Sequence, residues 1–351
     1  MENQIKKQKF VLLNANESRT HNFKRELLRR GWSVEELSCI GWNKAIRDLF
    51  RFLRAIRGAK FVLCGVGFPW QGLWILLAQF LGIKVLIDCP VDVTVKPFPE
   101  VWHWKLILGF FFRRADLFLT LSTRDYLVGK FRLNPAKVLF LENCPDLNQI
   151  EVGLRSIPRF MPLPDRLVLG YSGVALSQHI DRFVPTFKLL TERFRNLVWL
   201  VISEPNNPMI LRLCEEARKL NVIESIIVIS TIEPFTDFVA TIAQCHMWVG
   251  HMGNDSLLGI HELRMELLEM GAQGKPVIFV PTPAIEKQGF VNDENIILID
   301  PDRPKESAEC ISRYLDSQAE QERIGENLRK HVLAKFSLTS SIDRLLDATG
   351  C

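Results

Sequence analysis

The chain has 351 residues, 47% apolar and 24% charged, the balance of a globular protein with room for two cores. Its net charge of +4 hides a division: residues 1–165 hold 25 Lys and Arg against 15 Asp and Glu, and the remainder holds 19 against 25. The basic half suits an anionic surface, but no nucleic-acid-binding module accompanies it, so a nucleic-acid partner is not expected.

The N-terminus MENQIKKQK runs straight into FVLL, too short for the apolar core of a cleavable signal. The eight Cys show no C-x-x-C pair and no metal-ligand spacing, so free thiols in a reducing, cytoplasmic compartment are expected. In the first half, apolar runs at Phe10–Leu13, Val34–Leu37, Phe61–Cys64, Val85–Ile87, Leu117–Thr120 and Val138–Leu141 alternate with helical stretches. That alternation predicts a parallel sheet covered on both faces. The loop NANES after the first run lacks the Gly-rich dinucleotide fingerprint, which leaves a dehydrogenase unsupported.

Residues 44–58, KAIRDLFRFLRAIRG, predict a basic amphipathic helix. Ile46, Leu49, Phe50, Leu53 and Ile56 form its apolar face, and Lys44, Arg47, Arg51 and Arg54 lie on another. Such a helix can cover its own sheet or lie on an anionic membrane. The segment VWHWKLILGFFFRRAD interleaves Trp102, Trp104 and three Phe with Lys105, Arg113 and Arg114, a mixture suited to a headgroup boundary. The apolar run 72–83 is short of the ~20 residues that span a bilayer and is read as a buried helix. Asp88 and Asp92 flank Cys-Pro-Val just past the fourth strand, where open α/β sheets bind ligands. Either carboxylate can serve as a general base there, or can simply hold a turn.

Four Pro between Cys144 and Asp165 predict an interdomain linker. A second alternation follows, with strands at 167–170, 198–202, 226–229, 247–249, 277–280 and 296–299. His246 and His251 are five apart and do not form a zinc site. Asp300-Pro301-Asp302 is read as a turn because a hard cation needs more oxygens than this stretch offers, so no metal is expected. From Glu320 to Leu346 the pattern is helical with a break near Phe336-Ser337.

The most informative stretch is HELRMELLEMGAQGKPVIFV, His261 to Val280. Leu263, Leu267, Leu268 and Met270 recur at helical spacing, Gly271 and Gly274 are read as closing the helix, and Val277–Val280 is a buried strand run. Glu262, Glu266 and Glu269 share one side of that helix. From Glu269 onward, EMGAQGKPVI resembles the donor-binding segment of GT-B glycosyltransferases of the retaining family 4 group; LGYSG and NDENIILIDPD resemble further segments of that family in the same order. The resemblance covers most of the chain. It implies two doubly wound Rossmann-like domains facing each other across a cleft, with a C-terminal helix crossing back.

On that basis residues 1–160 form an acceptor- and membrane-facing domain, 166–325 a nucleotide-sugar-binding domain, and 326–351 the returning helix. Glu269 takes the role of holding the donor's ribose. His261 and Glu262 stand where the family has another Glu, and Val174 follows Gly173 where relatives often have Arg. The diphosphate is then left to Arg264, to backbone amides near Ser172 and Gly173, and to a helix start that includes Asn254 and Asp255. The expected activity is sugar transfer from a nucleotide-sugar to a lipid-linked or envelope glycan at the cytoplasmic face of the membrane, without cofactor or metal. Asp92, or failing it Asp88, receives the acceptor proton. A GT-B-like sugar-nucleotide epimerase and a non-catalytic nucleotide-binding partner subunit are the alternatives.

Overall fold

The structure is a computed structural model, and it describes residues 8–13, 18–37, 45–65, 71–89, 113–120, 128–129, 132–158, 165–173, 179–253 and 263–350. The chain divides into two compact units, Met1–Cys144 with Leu338–Cys351, and Pro145–Ser337.

The first unit runs β1 (Lys9–Leu13), α1 (Ser18–Arg29), β2 (Ser33–Leu37), α2 (Ala45–Ile56), β3 (Ala59–Gly65), α3 (Gln71–Phe80), β4 (Lys84–Cys89), β5 (Leu117–Thr120) and β6 (Val138–Phe140). All six strands are parallel, in the order β2-β1-β3-β4-β5-β6. The apolar runs of the central strands β1, β3, β4 and β5 are buried, as strands covered on both faces require. One face packs under α2 and α3 through Phe52, Ala55, Ile56, Trp74, Ile75 and Ala78, with the Phe52 and Trp74 rings stacked at 5.3 Å.

Two expectations change in this unit. Phe50 is not on the apolar face of α2: it is 68% exposed, beside exposed Arg47, Arg51 and Arg54. The buried side instead carries Asp48, Phe52, Ala55 and Ile56, spaced four, three and one apart, and this set rotates Phe50 outward. Asp88 lies within β4 rather than past its end. It is paired in register with Gly65 and Leu119 and is buried, so a turn-forming role does not apply.

The second unit runs α4 (Leu147–Leu154), β7 (Leu167–Ser172), a short 3-10 turn (Ile180–Phe183), α5 (Val184–Arg193), β8 (Leu197–Ile202), α6 (Pro208–Lys219), β9 (Ile226–Ile229) and α7 (Phe235–Ile242). It continues with β10 (Met247–Val249), α8 (Met265–Ala272), β11 (Val277–Phe279), α9 (Pro283–Lys287), β12 (Ile297–Leu298), α10 (Pro304–Leu315) and α11 (Gln318–Lys335). Its sheet is also parallel, in the order β12-β11-β10-β7-β8-β9.

The stretch read as linker therefore contains a helix, α4. Asp146 caps it by accepting a hydrogen bond from the Gln149 amide at 3.2 Å, and Ile150 joins the core of the second unit. Gly271 does not close α8 but lies inside it, where a Cβ would stand 2.7 Å from Val332 Cγ2 on α11. Gly274, at φ +74°, ends the helix in the left-handed region. Phe336 and Ser337 break the last helical stretch, and α12 (Leu338–Thr349) buries Ile342 and Leu345 in the first unit's second core face, beside Phe23 and Leu27 of α1.

Candidate active site

In the second unit the strand order reverses at β7 and β10, since β8 and β9 follow β7 on one side while β11 and β12 follow β10 on the other. Successive helices leave on opposite faces at such a point, so the carboxyl ends of the two strands open into a crevice. Ser172 ends β7 and buried Gly173 follows, its carbonyl accepting a hydrogen bond from the buried Ser203 hydroxyl at 2.7 Å. His251 follows β10 and is buried, its ring centroid 5.9 Å from that of Phe279. His246 precedes the same strand, where its Nδ1 accepts from the Val168 amide at 3.1 Å. The two imidazoles are thus separated by the strand.

Leu267, Leu268, Met270 and Ala272 bury one side of helix α8, which leaves Arg264, Glu266 and Glu269 half-buried on another. Arg264 occupies the N-cap position with extended backbone, and Glu266 sits in the first turn. Tyr171, one residue before the end of β7, ties the strand to α6. Its phenol donates to Met209 Sδ at 3.4 Å. Burial chiefly, then the charges of Glu266 and Asp181, push that phenol well above its usual range, partly offset by Arg264.

Glu269 lies one helical turn beyond Glu266. Desolvation foremost, then the charges of Glu266 and Asp146, raise its carboxyl to about 8, so it holds its proton through neutrality. The arrangement offers a carboxyl that can donate as well as accept hydrogen bonds, an arginine at a helix start and a tight glycine turn after a strand. Those are groups suited to a polyhydroxylated, anionic ligand.

Of the residues singled out from the sequence, Ser172, Gly173, Arg264 and Glu269 are described around the carboxyl end of this sheet and the helix that follows it. His261, Glu262, Asn254 and Asp255 lie outside the described residues, as does Asp92 in the first unit. Asp88 is described and buried in β4 of that unit. Tyr171, Asp146, Ser203 and Arg182 escaped the sequence reading. Arg182 donates to the Met252 carbonyl at 3.2 Å and to Asp302 at 2.8 Å, tying the turn after β7 to that after β10. Asp146 was legible in principle as a capping residue ahead of an apolar-periodic stretch, but the surrounding prolines concealed it.

Asp300-Pro301-Asp302 forms a turn closed by the Asp302 amide donating to Asp300 Oδ1 at 3.0 Å. Among the described residues no group of three or more His, Cys, Asp and Glu side chains could hold a metal ion. A cavity of about 550 Å³ lies at the other end of the strands, where Leu167, His246 and Pro276 lead into β7, β10 and β11, and is also lined by Lys275 and the start of α11.

Of the basic and aromatic residues in the first unit, Arg47, Arg51, Arg54, Arg113 and Arg114 are exposed. Arg47 and Arg51 flank Asp48 at 3.8 and 3.6 Å. Lys44, Trp102 and Trp104 lie outside the described residues. No helix among the described residues is long and apolar enough to cross a membrane.

Residues 229–347 match the model of a family described as glycosyl transferase-like, a span that includes α8 and Glu269. Comparison with curated protein sequences gave no match. Among solved structures, the chain is similar to a glycosyltransferase from Rickettsia africae, with 11% identity, 98% of each chain covered and a TM-score of 0.73. It is also similar to HepE from Anabaena in complex with UDP and glucose, with 10% identity, 98% of this chain and 99% of that one covered, and a TM-score of 0.72. Sucrose-phosphate synthase from Thermosynechococcus elongatus has 14% identity over 97% of this chain and 98% of its own, with a TM-score of 0.67. The chain therefore has the GT-B fold of these glycosyltransferases, with a glycosyl transferase-like region in its second half.

Proposed function

We propose that the protein transfers a sugar from a nucleotide-sugar donor to a lipid-linked or envelope glycan acceptor at the cytoplasmic face of an anionic membrane. The observation that supports this reading is Glu269 on α8, the helix that connects β10, a strand at the order reversal, to β11 within the glycosyl transferase-like region. Its carboxyl binds the ribose hydroxyls of the donor. Arg264 and backbone amides near Ser172 and Gly173 stabilise the diphosphate as the bond from the anomeric carbon to the phosphate oxygen breaks. That leaving-group charge is the main electrostatic demand of the reaction.

The acceptor hydroxyl forms the new glycosidic bond and gives up its proton to Asp92, with Asp88 as the alternative base. Burial of Asp88 inside β4 favours Asp92 of the two. By the family 4 resemblance the anomeric configuration is retained, which requires the acceptor to attack on the face that the diphosphate leaves, and no metal ion is needed. UDP-linked sugars are the first donors to try, because HepE was crystallised with UDP and glucose.

The test is thermal stabilisation across a panel of sugar nucleotides, followed by calorimetry of Glu269→Ala with the best of them. A ligand that binds only the folded protein raises its melting temperature. Replacing the carboxyl removes hydrogen bonds to the ribose worth roughly 0.5–1.5 kcal/mol each for a neutral group, so loss of two should lower donor affinity by about tenfold or more. Unchanged affinity would remove Glu269 from the site. Binding without transfer to any glycan would favour the partner-subunit reading, and inversion at a ring carbon of the donor without an acceptor would favour the epimerase.

A further inference from the structure

The first unit exposes apolar side chains where its charge is most one-sided. Helix α3 ends in a tight turn at Gly82, whose φ of +75° only glycine adopts readily. The Gly82 amide donates to the Gln79 carbonyl at 2.9 Å and the Ile83 amide to that of Ala78 at 3.0 Å, the paired bonds of a Schellman cap. Ile83 and Ala78 are buried beneath this cap, which leaves two of the four residues between them, both apolar, well exposed on its outside. Those residues are Phe80, 86% exposed, and Leu81, 53% exposed. The turn cannot fold them inward without breaking the cap.

Phe50 projects from α2, which packs on the same sheet face as α3, and Arg51 and Arg54 are exposed beside it. Gln79 donates to the Arg114 carbonyl at 2.6 Å, which brings exposed Arg113 and its neighbour to the end of α3. Between Leu49 and Ile87 the sequence contains no Asp or Glu. Exposed aromatic and aliphatic side chains set among arginines, on a stretch without carboxylates, match a surface that is anionic outside and apolar just beneath.

We infer that Phe80 and Leu81 form a fixed apolar tip that inserts below the headgroups of an anionic bilayer, while the α2 arginines and Arg113 hold the phosphates. This rests on the membrane-surface reading given above and names the contact that makes it more than electrostatic. Arginines alone would give attachment that salt removes, because surface charge is screened within about 8 Å at physiological ionic strength. Apolar insertion leaves a component that salt does not remove.

The full chain should be sedimented with phosphatidylcholine vesicles, with and without phosphatidylglycerol, over a range of salt. Wild-type protein is expected to bind the anionic vesicles and to retain part of that binding at high salt. The double variant Phe80→Ser, Leu81→Ser should melt like wild type, since both side chains are already in solvent, and bind at least about tenfold more weakly at high salt. Arg51→Glu with Arg54→Glu should abolish binding at low salt. Wild-type binding that the Phe80, Leu81 variant leaves unchanged overturns the inference and spares the membrane reading. Wild type that ignores anionic vesicles overturns both. A wild-type dimer that the same variant dissociates, in protein that does not bind vesicles, would assign the tip to a second copy of the chain instead.

Discussion

Glu269 is a carboxyl held against its own preference. In unfolded chain it would ionise near 4.5, whereas burial, Glu266 and Asp146 raise it to about 8 in the fold. Between those values the folded protein holds a proton that the unfolded chain has released. This group's contribution to stability therefore declines as pH rises through the window and levels off above about 8. Glu269→Gln keeps the shape and removes the titration. The melting temperature of the variant relative to wild type should climb from pH 5 to pH 8 and then stay constant. A difference that does not vary with pH would mean that the carboxyl is already ionised and solvated. Asp146→Asn should move the wild-type curve the same way, because it withdraws one of the negative charges acting on Glu269. Asp92 is the other residue on which the proposed reaction depends. Asp92→Asn should lower turnover by about 10²–10⁴ with donor affinity nearly unchanged, a split that steady-state kinetics and calorimetry together will expose.

Among the elements, α8 and α11 set the position of the site. They approach closely because glycines face each other across the contact. A Cβ on Gly271 would meet Leu328 at 3.0 Å and Val332 at 2.7 Å, and one on Gly325 would lie 2.0 Å from the Gly274 carbonyl oxygen. Real contacts do not reach those distances, and at Gly325 the obstacle is backbone. Gly325→Ala should therefore push α11 away from the turn after α8, at a cost of about 1–3 kcal/mol in urea denaturation. Donor affinity should fall with it, since Glu269 rides on α8; a variant of full stability would show that the helices yield without strain. Helix α4 carries the same lesson. Pro-rich surroundings suggested a linker, yet Asp146 caps a helix that packs against α7, where a Cβ on Gly153 would be 2.5 Å from Val239 Cβ.

For the molecule as a whole, the decisive feature is that the first unit is closed by the end of the chain. Arg30, just past α1, donates to Asp343 on α12 at 2.5 Å and to the Thr339 carbonyl at 2.9 Å, and Arg344 reaches Glu142 at 2.8 Å. Arg29, with the same Arg30, holds Glu26 down at about 2, so that the part of this clamp due to Glu26 weakens as pH falls from about 4.5 toward 2. Beneath these polar ties Ile342 and Leu345 are fully buried. Ending the chain at Ser337 should expose that core and lower hydrogen-exchange protection in β1, β3 and β4, while β7, β8 and β10 of the second unit keep theirs. Equal loss in both units would show that they unfold as one.

The sequence by itself determined the architecture. Six runs in each half fell on the six strands of each sheet, because central strands buried on both faces, such as β1, β3 and β8, must be apolar along their length whatever surrounds them. It also marked Glu269, since helix, Gly-Lys-Pro turn and strand follow one another locally and carry a recognisable pattern. What only the tertiary structure decided depends on neighbours distant in sequence. Phe50 shares the helical spacing of the apolar face, and only the docking of α2 through Phe52 and Ile56 turns it to solvent. Gly271 looks like a helix stop until α11 is laid against it, and Asp146 looks like a linker residue until its charge is seen to act on Glu269. Periodicity reports which residues a helix can bury; the partner that arrives from elsewhere in the chain selects which it does.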